Sequence, residues 1–337
     1  MKKWHYPFLA FLIIGSYFIL TEGRSGKDGD KPGKAEYLHS SGAVFGTSYN
    51  ATYLSDRDLS HEIRQAMDSV DMALSMFNSG STISKVNGSD GMQVTDDMFL
   101  GIFRRAMEIS RLTGGAFDIT VAPAVNAWGF GFKNSVPVAP HTIDSLKEII
   151  GYWKIHEDNG FISKDDSRIM LDCSAIAKGY GSDMVARTLE ANGVNDYMIE
   201  IGGEIVVAGK NPRGEEWSIG VNKPIDDTLS VRTELDTILH VTDIAMATSG
   251  NYRNFYVKDG KKYAHTIDPA TCQPVSHSLL SATVLAPDCA TADALATSMM
   301  VMGLDSAVSL CRRLPEIKAY LIYQDSLGEM KAYKANM

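Results

Sequence analysis

Asp293 and Thr297, within APDCATADALATSMMVMGL (residues 286–304), are the first residues here whose types and spacing suggest chemistry. On the helix that the apolar repeat of this segment predicts they stand at i and i+4, a carboxylate and a hydroxyl one above the other. Two hard oxygens of this kind suit Mg²⁺, which keeps several waters and is usually completed by a substrate phosphate rather than by an all-protein cage. Met299, Met300, Val301, Met302 and Leu304 give the segment an apolar body. A hydrogen-bonded pair on a core helix is therefore the competing reading.

Five further segments carry candidate chemistry. LDCSAIAKGYGSD (171–183) reads as a strand end, a glycine-bearing turn and a helix start beside Lys178. Backbone N–H groups at a helix N-terminus could seat a phosphate there; a plain turn with a surface lysine is the alternative. Neither the G-x-x-x-x-G-K-[ST] nor the G-x-G-x-x-G order is present. IEIGGEI (199–205) sets two glycines between Glu200 and Glu204, marking a close approach of a ligand to backbone or a tight hairpin. TGGAFDITVAPAVNAWGFG (113–131) gathers Asp118 with Phe117, Trp128 and Phe130, either a cradle for a planar heterocycle or core. AHTIDPATCQPVSH (264–277) puts His265 at a strand end, where a neutral imidazole could take a proton near pH 7 or serve structure alone. Thr248-Ser249-Gly250 offers hydroxyls for phosphate or ribose, or is a surface turn. No nucleophile elbow with Ser, His and Asp is present, so acyl-enzyme hydrolysis has no support.

The elements that must position these residues follow from periodicity. Ile63, Met67, Val70 and Leu74 recur at helical spacing over 58–76, and FNSGSTISKVN after them is rich in turn residues. Thr95 is the expected N-cap of a second helix carrying Phe99, Ile102, Phe103, Ala106 and Ile109, stopped by Gly114 and Gly115. Residues 119–140, rich in Pro, Gly and aromatics, read as a structured loop. A short helix is expected over 143–150, strands over 152–155, 161–163 and 169–171, and a helix over 179–192. Strands are expected next over 197–201, 205–208 and 217–221. Asp259-Gly260 predicts a type I′ hairpin between 254–258 and 262–267. A strand over 281–285, helices over 286–304 and 307–313, and a hairpin of 318–323 with 330–333 complete the chain. Antiparallel runs mixed with helices predict an α+β fold, a single layered domain of largely antiparallel sheets with packed helices.

The totals set bounds. The chain has 337 residues, 45% hydrophobic and 22% charged, enough for a full core. A net charge of −9 and no basic stripe argue against a nucleic-acid surface. Cys173, Cys272, Cys289 and Cys311 form no C-x-x-C pair, which speaks against a zinc or dithiol site, and spacing leaves their pairing open. Lys2 and Lys3 precede an apolar run from Tyr6 to Leu20, so residues 1–22 are expected to be a signal peptide or membrane anchor, 23–36 a flexible linker, and 37–337 the folded domain. Export to the periplasmic side of the cytoplasmic membrane is the expected consequence.

The order and wording of eight blocks add a resemblance. FGTSY (45–49), SMFNSGSTISKVN (75–87), TGGAFDITVAPAVNAWGFG, LDCSAIAKGYGSD, IEIGGEIVVAG, ATSGNYRNFY (247–256), HTIDPATCQPV and the segment holding Asp293 closely resemble the ApbE family of FAD:protein FMN transferases. The resemblance implies an ApbE-like domain that uses Mg²⁺, takes FAD as substrate and transfers FMN to a threonine hydroxyl of a partner electron-transport subunit, releasing AMP. By position it implies Asp293, Thr297 and the Ala175 carbonyl as metal ligands and His265 as the base acting on the acceptor threonine. It likewise implies Phe45, Phe77, Asn78, Asp118, Lys178, Glu204 and Ile267 as residues binding the flavin nucleotide. Phe45, Ala122, Cys173-Ser174-Ala175 and Thr271-Cys272 depart from common family residues and put ring-packing detail in question. No cysteine stands near the N-terminal run for lipid attachment. An Mg²⁺-dependent FAD pyrophosphatase and a non-enzymatic FAD-binding protein are the alternatives.

Overall fold

The structure, a computed structural model, describes residues 35–131, 138–225, 234–252, 255–258 and 261–337. The apolar segment 1–22, the linker up to residue 34 and the Asp259-Gly260 turn lie outside the described residues. The chain opens with β1 (Glu36–Val44), β2 (Thr47–Ser55), α1 (Ser60–Leu74), α2 (Thr82–Asn87), β3 (Gly91–Gln93) and α3 (Asp97–Leu112). It continues through α4 (Ala122–Ala127), α5 (Pro140–Ile149), β4 (Ile155–Asp158), β5 (Phe161–Lys164), α6 (Ser174–Ala191), β6 (Tyr197–Ile201) and β7 (Glu204–Ala208). Then come β8 (Trp217–Asn222), β9 (Leu235–Val241), β10 (Ile244–Gly250), β11 (Phe255–Lys258), β12 (Lys261–Ala264), β13 (Ile267–Asp268) and β14 (Gln273–Pro274). The last elements are β15 (Leu279–Ala286), α7 (Cys289–Arg313), β16 (Lys318–Gln324) and β17 (Met330–Ala335).

An eight-stranded sheet in the order β1-β2-β6-β7-β10-β15-β16-β17 forms the spine, and each of its ladders is antiparallel. Alternation along its strands sorts the two faces. On one, Ala247, Ala282, Val284, Ala286, Ala319 and Leu321 meet Leu295, Met299 and Met300 of α7 in the main core. On the other, Ile205, Val207, Met246 and Leu285 are covered by Trp217 and Ile219 of the β8–β9 hairpin. Small alanines under α7 let the helix lie close to the sheet. That burial explains why a helix apolar enough to cross a membrane by length and composition serves here as a core helix. The expected α+β class, with largely antiparallel sheets and packed helices, is the one observed.

Several local expectations shift, each for a physical reason. Asp96, not Thr95, caps α3, accepting from the N–H groups of Met98 and Phe99. The turn-rich segment contains α2, capped by Ser81, and the loop after residue 119 contains α4. Residues 169–171 are not a strand: the Asn87 side chain takes the Leu171 N–H at 2.7 Å and donates to the Leu171 carbonyl at 2.9 Å, replacing a neighbouring strand. The two helices expected over 286–313 run on as α7 through a kink at Gly303 (φ 76°), where His277 Nε2 lies 2.8 Å from the Met300 carbonyl. Finally, α6 begins at Ser174, five residues before the expected Gly179. All four cysteines are buried and free.

Candidate functional site

Helix α6 starts where Asp172 takes the Ser174 N–H at 2.7 Å, closing one of the donors a helix start leaves open. Its second turn then packs against the first turns of α7. Gly179 sits at that crossing because nothing larger fits: a Cβ there would overlap the Cys289 carbonyl oxygen and lie 2.9 Å from the Asp293 Cβ. The Gly179 N–H reaches Asp293 Oδ2 at 3.1 Å across 114 positions of sequence. In a helix the N–H of residue i faces the carbonyl of residue i−4, so the Ala175 carbonyl is directed at this same N–H. Asp293, from a distant segment, is thereby held against the α6 turn that runs from Ala175 to Gly179. Thr297, one turn on, shares the Asp293 face and is half-buried.

Lys178 enters from α6 beside this corner. Its Nζ pairs with Glu204 Oε1 at 2.5 Å, with the lysine side chain 32% exposed and that of the glutamate 3%. Glu204 is delivered by the turn Gly202-Gly203 between β6 and β7, both at positive φ. A Cβ on Gly202 would lie 2.8 Å from Thr47 Cγ2 and 3.4 Å from Lys178 Cδ, so the glycine pair serves both a tight hairpin and a close approach. Burial raises the Glu204 carboxyl, and Lys178 beside it opposes that rise by favouring the charged form. Burial likewise raises Asp293, while Lys178 and the Gly179 N–H lower it. Burial alone would lower Lys178, yet Asp293 and Glu204 together hold it above the ordinary lysine range. Glu204 Oε2 is buried and has no hydrogen-bond partner. A lone buried acceptor is costly, so this oxygen marks a place where a donor or cation is accommodated.

An oxygen set made of Asp293, Thr297 and the Ala175 carbonyl has the donor chemistry that Mg²⁺ takes. Among the described residues no group of three or more His, Cys, Asp or Glu could hold a metal by side chains alone. An ion at this corner would therefore draw its other ligands from water or a bound phosphate.

The other predicted residues fall into four places. Phe45 occupies the two-residue turn of the β1–β2 hairpin at φ 47°, and its ring packs against Gly181 of α6, two residues past the crossing. Phe77, 77% exposed, and Asn78 lie on the turn between α1 and α2. There Asn78 donates to Asp71 at 3.0 Å and accepts the Gly80 N–H at 3.0 Å. Asp118 is buried, and both its oxygens are engaged, one by the Thr120 N–H and hydroxyl and the other by the Tyr152 N–H. It thereby fixes the loop whose Ile119 carbonyl takes the Asp172 N–H at 2.6 Å, so its hold passes to the start of α6. Burial raises its carboxyl against those bonds.

His265 follows β12 directly, its ring edge-on to Phe130 at 6.4 Å. Ile267 in β13 is buried with Ala124 and Ile169, and Trp128 donates to the Cys272 carbonyl at 2.8 Å. The aromatic segment and the histidine segment thus pack on each other. A cleft of about 260 Å³ lined by Asp268, Gln273, His277 and Val301 joins the histidine hairpin to α7 one turn beyond Thr297. A larger cavity of about 400 Å³, lined by Arg105, Leu112, Thr291 and Leu295, opens on a different side of α7 and carries none of the predicted residues.

Two carboxylates were not singled out from sequence. Asp172 is half-buried at the start of α6, and burial raises it. Asp183 is buried and receives the N–H groups of Cys289 and Ala290. The four-residue spacing of Ala175, Gly179 and Asp183 was the available signal, had the helix been started at Ser174.

Comparison with known proteins supplies the family and matches the fold. The model of the ApbE family matches residues 45–321. An FAD:protein FMN transferase of Vibrio cholerae serotype O1 is 37% identical over 291 residues, covering 83% of this chain and 85% of the relative. One of Haemophilus influenzae is 34% identical over 305 residues, covering 86% and 87%. Among solved structures, the flavin transferase ApbE from Vibrio cholerae superposes with a TM-score of 0.81 at 35% identity, covering 89% of this chain and 97% of that one. The Pseudomonas stutzeri flavinyl transferase ApbE, in its apo form, superposes with a TM-score of 0.78 at 28% identity, covering 89% and 95%.

Proposed function

The chain belongs to the ApbE family and is a flavin transferase; on that premise we propose that it transfers FMN from FAD to a threonine hydroxyl of a partner redox protein, with Mg²⁺ and with release of AMP. The observation that carries this reading is the α6–α7 crossing, where Lys178, Glu204 and Asp293 converge around Gly179.

In the proposed reaction the threonine oxygen forms a bond to the phosphorus of the FMN half as the bond from that phosphorus to the bridging oxygen breaks, and the hydroxyl proton passes to His265. The bridging oxygen and its electron pair leave with AMP. No covalent enzyme intermediate is needed, since bound acceptor and donor suffice. Asp293, Thr297 and the Ala175 carbonyl would hold Mg²⁺, which when bound neutralises charge on the pyrophosphate. Lys178, already held cationic between two carboxylates, would place a further positive charge there. Threonine is a weak nucleophile, so His265 as base would contribute about 10²–10⁴-fold. Phe45, Phe77, Asn78, Glu204 and Ile267 would surround the flavin nucleotide, with Asp118 fixing the loop before α6.

The reading places the enzyme outside the cytoplasm, exported through residues 1–22 and acting on an electron-transport subunit at the membrane. Incubation with FAD, Mg²⁺ and a threonine-bearing acceptor should give a flavin-fluorescent acceptor band that survives denaturing electrophoresis and is lost with chelator. Rapid multiple-turnover release of free FMN without acceptor, and no labelled band with it, would instead make the protein an FAD pyrophosphatase.

A further inference from the structure

Helix α7 begins in an unusual way. Its first four N–H groups are all occupied, but only two of them locally: Thr291 N–H goes to the Asp288 side chain at 2.8 Å and Ala292 N–H to the Asp288 carbonyl at 3.1 Å. The other two, from Cys289 at 2.8 Å and Ala290 at 2.9 Å, go one each to the two carboxylate oxygens of Asp183, more than a hundred positions earlier on α6. Asp183 is 6% exposed. A cap alone would be met by a neighbouring residue or by water; a buried carboxylate from another helix also ties the two helices together.

The tie has a defined geometry. On α6, Ala175, Gly179 and Asp183 recur every four residues and share a face, as do Cys289, Asp293 and Thr297 on α7. Asp183 meets Cys289, and Gly179 meets both Cys289 and Asp293, so the helices run antiparallel with their stripes in register. A slip of α7 by one residue would displace Asp293 by about 1.5 Å along its axis and about 100° around it. Resting on the functional reading above, we propose that Asp183 is a positioning residue for the metal corner: its carboxylate locks the register of α7 on α6 and so sets where Asp293 stands relative to Gly179 and Ala175.

The test is Mn²⁺ binding to the full chain by electron paramagnetic resonance, with thermal melting run in parallel, for the parent, Asp183→Asn, Asp183→Glu, Asp288→Ala and Asp293→Ala. An amide replaces one of the two accepting oxygens by an NH₂ donor, so one of the two N–H groups loses its acceptor, and the longer Glu keeps both oxygens but shifts them. Both Asp183 variants should bind Mn²⁺ more weakly by about 10- to 100-fold, the range found when groups supporting metal ligands are removed. Asp288→Ala also removes an α7 cap, without touching α6, and should lower the melting temperature yet keep the parent affinity. Parent-like Mn²⁺ affinity in whichever Asp183 variant folds, or equal weakening in Asp288→Ala, overturns the proposal. Failure of the parent to bind Mn²⁺, or parent-like binding by Asp293→Ala, overturns the metal reading itself and the proposal with it.

Discussion

Lys178 and Glu204 lie 2.5 Å apart as an ion pair, and their pairing has a measurable consequence at the scale of single residues. Glu204 is buried, so its charge is tolerated only beside the lysine. Removing one member of a buried ion pair usually costs about 3–5 kcal/mol, because the remaining charge is left uncompensated. Lys178→Met should therefore destabilise the protein by about that amount in urea denaturation, and adding Glu204→Gln should recover most of it. Additive losses in the double variant would contradict the pairing. The same pair bears on the proposed role of Lys178 toward a pyrophosphate: Glu204 and Asp293 hold the lysine above its ordinary range.

At the scale of elements, everything depends on how closely α6 and α7 approach. Gly179→Ala should raise helix propensity by up to about 1 kcal/mol, but its methyl would overlap the Cys289 carbonyl and crowd Asp293. Overpacking typically costs about 1–3 kcal/mol, so steric strain wins: the variant is expected to melt lower and to lose metal-dependent activity, and a higher melting temperature would refute the close-crossing argument. This crossing also shows what sequence reading reached. The amphipathic helices α1 and α3 were legible because their buried residues repeat at helical spacing. The start of α6 was not, since Gly179 and Gly181 look like a turn locally and are helical because α7 and Phe45 need the space. The absent strand at 169–171 has the same kind of cause, a ladder replaced by one Asn87 side chain from 84 positions away. Asp293 and Thr297 were visible as a pair, but spacing could not separate a metal corner from a core pair. The approach of Gly179 to Asp293 is long-range and belongs to the fold.

At the scale of the whole molecule, the antiparallel sheet carries α6 and α7, and the histidine hairpin shares a cleft with Val301 of α7, one turn beyond Thr297. Donor-side groups and the proposed base thus come from separate parts of the chain, which predicts that binding and transfer can be uncoupled. The most direct measurement pairs equilibrium FAD binding with transfer to a threonine-bearing acceptor for the parent, Asp293→Ala and His265→Ala. Asp293→Ala should lose the Mg²⁺-dependent part of FAD binding, whereas His265→Ala should bind FAD as the parent does and transfer about 10²–10⁴-fold more slowly. Transfer at the parent rate by His265→Ala, or undiminished Mg²⁺-dependent FAD binding by Asp293→Ala, would contradict the account.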